Sequence, residues 1–159
     1  MELLDWLASW LASWPGATWL RGSGTAYLVV NAAHILGIGL ILGAILPLDA
    51  RLMGIGRAPL GVVGPLLSRA AAVGVGLALL TGFWLFTVRP IHYAGNAAFL
   101  AKLALVALAL VNVAIQHANP AYRRALAGGA VSVGVRTSAA ASALLWLAAL
   151  LAGRWIGFL

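Results

Sequence analysis

The stretch Tyr27–Gly54, YLVVNAAHILGIGLILGAILPLDARLMG, decides the fold. Its apolar run exceeds the ~20 residues a helix needs to cross a bilayer. It carries Tyr27, Asn31 and His34 at spacings of four and three, which places them on one helical face, a turn apart. Pro47 reads as the stop, with Asp49 and Arg51 close behind. An ionisable residue well inside a membrane helix is costly to keep, which makes His34 a functional candidate.

Composition extends this reading to the whole chain. The 159 residues are 64% hydrophobic and 8% charged, with mean hydropathy +1.03. A soluble domain has roughly 25% charged residues, so lipid must cover most of the exterior. The net charge of +7 comes from ten Lys/Arg against three acids. The basic residues fall mostly between apolar runs and form no continuous face, which argues against nucleic acid and for topology control at lipid headgroups. Cysteine is absent, which excludes disulfides, thiolate metal sites and Cys nucleophiles. Glu2 and Asp5 stand where a signal peptide has its positive region, so no signal peptide is expected.

The expected fold is an all-α membrane protein, a single domain over residues 1–159. A four-transmembrane-helix bundle follows a short amphipathic interfacial helix at 2–14. The spans are expected at about 25–46, 70–88, 97–118 and 132–152. In the N-terminal helix Leu3, Leu4, Trp6, Leu7, Trp10, Leu11 and Trp14 share one side, and Glu2, Asp5, Ser9, Ala12 and Ser13 the other. Trp6, Trp10 and Trp14 form a ridge for the headgroup boundary or for a partner subunit. Pro15-Gly16 ends that helix. Gly39 and Gly43 form a GxxxG pair for close helix approach, which serves bundle packing and homo-oligomers equally. Asn96 is an N-cap for the third span, and Asn119-Pro120 stops it. Lys102, Asn112 and Gln116 trace a polar stripe along that span, turned from lipid. Thr137, Ser138, Ser142 and Trp146 lie near one face of the fourth.

Arg51, Arg57, Arg69, Arg123, Arg124 and Arg136 share one side of this topology, and Arg21, Arg89 and Arg154 the other. That bias places both termini in the periplasm if the chain sits in a bacterial inner membrane. Asp49 pairs with Arg51 in this reading, at the cytoplasmic end.

Depth separates the histidines. His34 lies ~13 Å into the first span and Lys102 ~8 Å into the third, from the same side. These helices run parallel, so the two can face one another. Two readings exist for each group. His34 is a neutral imidazole hydrogen-bonded through Asn31 or Ser142, or it is a ligand to heme iron or another metal. Lys102 snorkels to the interface, or it pairs with a heme propionate or another anion. His92 is an exposed loop residue, or a second axial ligand if its loop folds inward. His117 belongs to the far boundary. Paired membrane carboxylates, a Met-rich copper track, a phosphate loop and a Ser-His-Asp arrangement are all missing from the sequence.

Several segments together resemble a bacterial membrane-protein family of unknown function: HILGIGLILGAILPLDARLMG, TGFWLF, Pro90-Ile91-His92-Tyr93, Asn96-x-x-Phe99-x-x-Lys102 and Asn112. The likeness covers about residues 25–150. More distantly, a His in the first span, an Arg after it and a Lys opening the third span are similar to HemJ-type protoporphyrinogen oxidases and CopD-type copper-resistance membrane proteins. The HemJ resemblance implies heme b, with His34 as axial metal ligand and Lys102 as its functional partner. Tyr27, Asn31 and His92 join them as candidate cofactor-binding residues. The leading expectation is a b-type cytochrome-like protein, with heme in the periplasmic half and electron transfer or redox chemistry with a quinone or periplasmic partner. The alternatives are a non-catalytic membrane subunit or anchor, and a copper or small-solute permease.

Overall fold

The computed structural model describes residues 2–158. It is all-α: α1 Glu2–Ser13, α2 Pro15–Gly22, α3 Gly24–Leu52, α4 Leu60–Val88, α5 Pro90–Ala94, α6 Ala97–Ala118, α7 Pro120–Leu126 and α8 Val133–Trp155, then a 3₁₀ turn at Ile156–Phe158. α3, α4, α6 and α8 (with the 3₁₀ turn) are long and apolar enough to cross a membrane. The chain is a multi-pass membrane protein in architecture. Its outer surface carries exposed Leu28, Leu36, Leu66, Leu80, Leu144 and Leu151, a surface suited to lipid rather than water.

Short polar side chains set the helix starts by satisfying free backbone N–H groups. Ser23 Oγ accepts from Ala26 N, Asn96 Oδ1 from Phe99 N, Asn119 Oδ1 from Ala121 N and Ser132 Oγ from Val135 N. The Asn96 cap and the Asn119-Pro120 boundary agree with expectation. α1 ends at Ser13, ahead of Pro15-Gly16 as expected, and Pro15 then opens a second short helix from its N1 position.

Two prolines stand inside spans. Pro47 does not end α3, which continues to Leu52, and Pro65 lies inside α4, which begins at Leu60 rather than near residue 70. Pro47 is exposed while Leu48, Asp49 and Leu52 beyond it are buried. Packing of that last turn outweighs the one backbone hydrogen bond that proline removes.

The helices form two antiparallel pairs, α3 with α4 and α6 with α8, joined by α3 against α8. The α3–α4 seam is the tightest. A Cβ on Gly37 would lie 2.8 Å from Ala78 N, and one on Gly74 would lie 2.8 Å from Ile41 N. Gly39 and Gly43 face open space, so the GxxxG pair does not make this seam. Leu48, Leu52, Leu60, Tyr122 and Val135 close the arginine-rich end, Ile41, Ile45, Ala109 and Trp146 fill the middle, and Leu20, Ala26 and Val30 pack the opposite end.

The α1 ridge divides. Trp6 and Trp10 are 61% and 59% exposed, whereas Trp14 donates from Nε1 to Thr87 Oγ1 at 3.0 Å and packs against Trp84. The side chains of Glu2, Leu3, Leu4 and Asp5, placed on two faces by the sequence pattern, lie outside the described residues.

Candidate functional site

α3 delivers His34 to α4. Its Nδ1 lies 3.1 Å from Thr81 Oγ1, and the Thr81 hydroxyl donates to the Leu77 carbonyl at 2.6 Å. A hydroxyl has one proton. Thr81 has spent it on Leu77, so the contact is an Nδ1–H donating to Thr81, which assigns the tautomer from the network. The imidazole lone pair is then on Nε2. Gly82 makes this placement possible, because a Cβ there would sit 2.9 Å from His34 Cε1. The Ala78 carbonyl also lies against the ring.

The partner of His34 is therefore Thr81 on α4. Asn31 is half-buried on α3, and Ser142 lies beside Asp49, a residue near the opposite end of α3. Lys102 is near enough for its charge to act on His34, and its stem crosses Gly153 of α8, 3.3 Å from a Cβ placed there. Lys102 and Asn112 of the α6 stripe turn to α8: Asn112 Nδ2 donates to Ser138 O at 3.1 Å, and Ser138 Oγ donates to Asn112 Oδ1 at 2.9 Å. In α8 Ser138, Ser142 and Trp146 turn inward, while Thr137 is exposed.

α4 and α6 make the fourth side of the bundle, and they do not pack closely along their backbones. Aromatic side chains bridge them at one end. Phe86 stacks on Phe99 at 5.4 Å with planes 5° apart, and Tyr93 tilts against both. Tyr27 lies beside Tyr93. Burial pushes the Tyr93 phenol above its ordinary range, the Tyr27 phenol adds to that, and Arg89 opposes it. His34 and Lys102 thus approach the same half of the molecule as a belt of four aromatic rings. α7 spans the other end, where Tyr122 Oη meets Ser68 Oγ of α4 at 3.4 Å.

His92 does not join His34. It is exposed, tilts against Tyr93 at 5.7 Å and lines a surface groove with Ala8, Ser9 and Ala12 of α1. His117 is exposed, with Nδ1 2.9 Å from the Val113 carbonyl and its ring 5.1 Å from Tyr122. Among the described residues no group of three His, Cys, Asp or Glu could hold a metal ion. Any metal at His34 would need most of its ligands from elsewhere, as a porphyrin supplies them.

Thr81, Gly82 and the aromatic belt escaped the sequence reading. Depth was the usable signal: Thr81 lies ~10 Å from the end of α4 and His34 ~15 Å from the start of α3, at the same end of an antiparallel pair.

Arg51 does not pair with Asp49. It donates to the carbonyls of Ala58, Ile55 and Gly56 and pins the α3–α4 loop. Gly54 and Gly56 adopt positive φ in that loop (94° and 89°), a conformation only glycine takes at no steric cost.

Compared with protein-family models, characterised proteins and solved structures, the chain matches none. The fold and site define a class, a four-helix membrane protein with a polar seam at each end of its bundle. The likeness to HemJ- and CopD-type proteins rests only on the residues quoted above.

Proposed function

We propose that this chain is a small b-type cytochrome-like membrane protein, in which His34 would ligate a heme held in the half of the bundle that also carries Lys102. The observation that carries the reading is the His34–Thr81–Leu77 relay, which assigns the proton to Nδ1 and the lone pair to Nε2. Metal-ligating histidines have their other nitrogen held in this way by an acceptor. Bound heme supplies reversible one-electron exchange, with a quinone or a periplasmic protein as the partner class.

The chain's own residues bind and orient. Thr81 sets the ring angle and tautomer of His34. Gly82 leaves space for the ring beside α4. Lys102 brings a cation to a half of the bundle whose spans hold no carboxylate, which favours the acidic side chains of a porphyrin. Phe86, Tyr93 and Phe99 pack on one another and close this end between α4 and α6 with apolar rings. The arginine bias favours a periplasmic location for this half, with Trp6 and Trp10 of α1 at the headgroups.

The test is the absorption spectrum of full-length protein purified from a heme-replete host. The expected result is a Soret band near one heme per chain. His34→Ala abolishes it, and Thr81→Val keeps it with shifted position or midpoint potential. A colourless, folded wild-type protein refutes the reading.

A further inference from the structure

A second polar site lies at the arginine-rich end of the bundle, and the heme reading makes no use of it. Five helices meet there. Asp49 comes from α3, Ser68 from α4, Gln116 from α6, Tyr122 from α7 and Ser142 from α8. Asp49 is 2% exposed, Gln116 7% and Tyr122 1%, and Ser142 is also buried. The Tyr122 hydroxyl is the hub: Ser68 Oγ is 3.4 Å away, the Gln116 amide lies against it, and the Asp49 carboxyl is close enough to act on it. The Ser142 hydroxyl stands beside Asp49.

Two acceptors in this cluster have no donor. Asp49 Oδ2 and Gln116 Oε1 are buried without a hydrogen-bond partner. Such atoms are rare in folded proteins, and a bound ion is one of the groups that satisfy them. The arginines of this end do not supply one. Arg51 is committed to loop carbonyls, and Arg57, Arg69, Arg123, Arg124 and Arg136 are exposed.

We infer that Asp49, Gln116, Ser142 and Tyr122 form a binding site for a small monovalent metal cation of the Na⁺ class. All four donors are oxygens, the ligands that hard cations take. The site has one carboxylate, so a single positive charge leaves it neutral, whereas a divalent ion leaves an uncompensated buried charge. Protonation of Asp49 supplies one donor to one neighbour, but a desolvated cation is contacted by several acceptors at once. The ligands come from four helices, so binding ties the α3–α4 pair to the α6–α8 pair at this end.

Ligand that binds only the folded state raises the unfolding temperature in a saturable way. Full-length protein in detergent is therefore titrated with NaCl, with choline chloride holding ionic strength constant, at pH values from 6 to 9. The titratable group facing Asp49 is Tyr122 of α7, whose ring lies 5.1 Å from that of the exposed His117 of α6. The expected result is a saturable rise in midpoint with Na⁺ and none with choline. Half-saturation shifts upward as pH falls, because protons compete for Asp49. Asp49→Asn abolishes the Na⁺ response, and Gln116→Leu raises the half-saturating concentration at least tenfold. Asp49→Asn removes a buried charge, so its folding is not at risk from the substitution itself. A midpoint that responds to pH but not to Na⁺ means a protonated carboxyl only and overturns the proposal. So does a Na⁺ response that survives in Asp49→Asn. The Soret band is read on the same samples, and its presence or absence bears on the His34 site alone.

Discussion

Gly74→Ala separates packing from helix propensity in one comparison with Gly76→Ala. Both glycines lie inside α4, so both gain about 1 kcal/mol of helix propensity on acquiring a methyl group. Their surroundings differ. A Cβ at Gly74 lies 2.8 Å from Ile41 N, 2.9 Å from Gly37 O and 2.9 Å from Leu40 Cβ, whereas one at Gly76 meets nothing within 4 Å. Two of the Gly74 neighbours are backbone atoms of α3, so relief requires the helices to move apart. Overpacking of this kind costs roughly 1–3 kcal/mol. The propensity gain cancels between the two variants, so that cost is the expected difference between them. At roughly 2–4 °C per kcal/mol for a chain of this size, Gly74→Ala melts about 2–12 °C below Gly76→Ala. The assay is thermal unfolding in one detergent at one protein concentration, followed by circular dichroism. Equal midpoints, or Gly76→Ala as the less stable, refute the assignment of the α3–α4 seam.

Two further outcomes follow from contacts elsewhere. The Ser138 hydroxyl donating to Asn112 Oδ1 gives a double-mutant coupling of about 0.6–1.7 kcal/mol between Asn112→Ala and Ser138→Ala, measured by unfolding in detergent; the bond from Asn112 to the Ser138 backbone carbonyl survives Ser138→Ala and stays outside the cycle. Burial holds the Tyr122 phenol above its ordinary range, Ser68 and Gln116 pull it down in part, and Asp49 adds to the rise. The folded state therefore keeps this proton after the unfolded state has lost it, and stability falls as pH climbs past about 10. Tyr122→Phe flattens that alkaline loss in a midpoint-versus-pH series, and an unchanged slope counts against the burial.

The four spans were readable because apolar length alone demands them, and the caps at Asn96 and Asn119 were readable because capping is local chemistry. Errors arose where an inference needed to know which way a residue points in the assembled bundle. Pro47 looks like a stop in one dimension, yet it lies on the exposed side of a turn whose other side is buried. Asp49 and Arg51 looked like a pair because they are close in sequence, but residues two apart on a helix point to nearly opposite sides. One enters the core and the other turns to its loop. The Gly39–Gly43 spacing was a motif without a neighbour, while Gly37 and Gly74 made the contact. Helix adjacency was also hidden. Parallel orientation placed His34 and Lys102 across the bundle from one another but said nothing of which helices pack, and the α3–α4 pairing supplied the hydrogen-bond partner of His34, Thr81.

The pairing order also bears on how the chain is built. The α3–α4 hairpin is complete once residue 88 has entered the membrane, because its seam draws on those two helices alone. α6 is different. Lys102 lies across Gly153 and Asn112 exchanges two hydrogen bonds with Ser138, so the polar stripe of α6 is satisfied mainly by a helix synthesised after it. During translation α6 meets lipid with Lys102 and Asn112 unmatched until α8 emerges, whereas Gln116 meets Tyr122 of α7. A chain that ends before residue 133 therefore leaves Lys102 and Asn112 without the α8 groups that cover them.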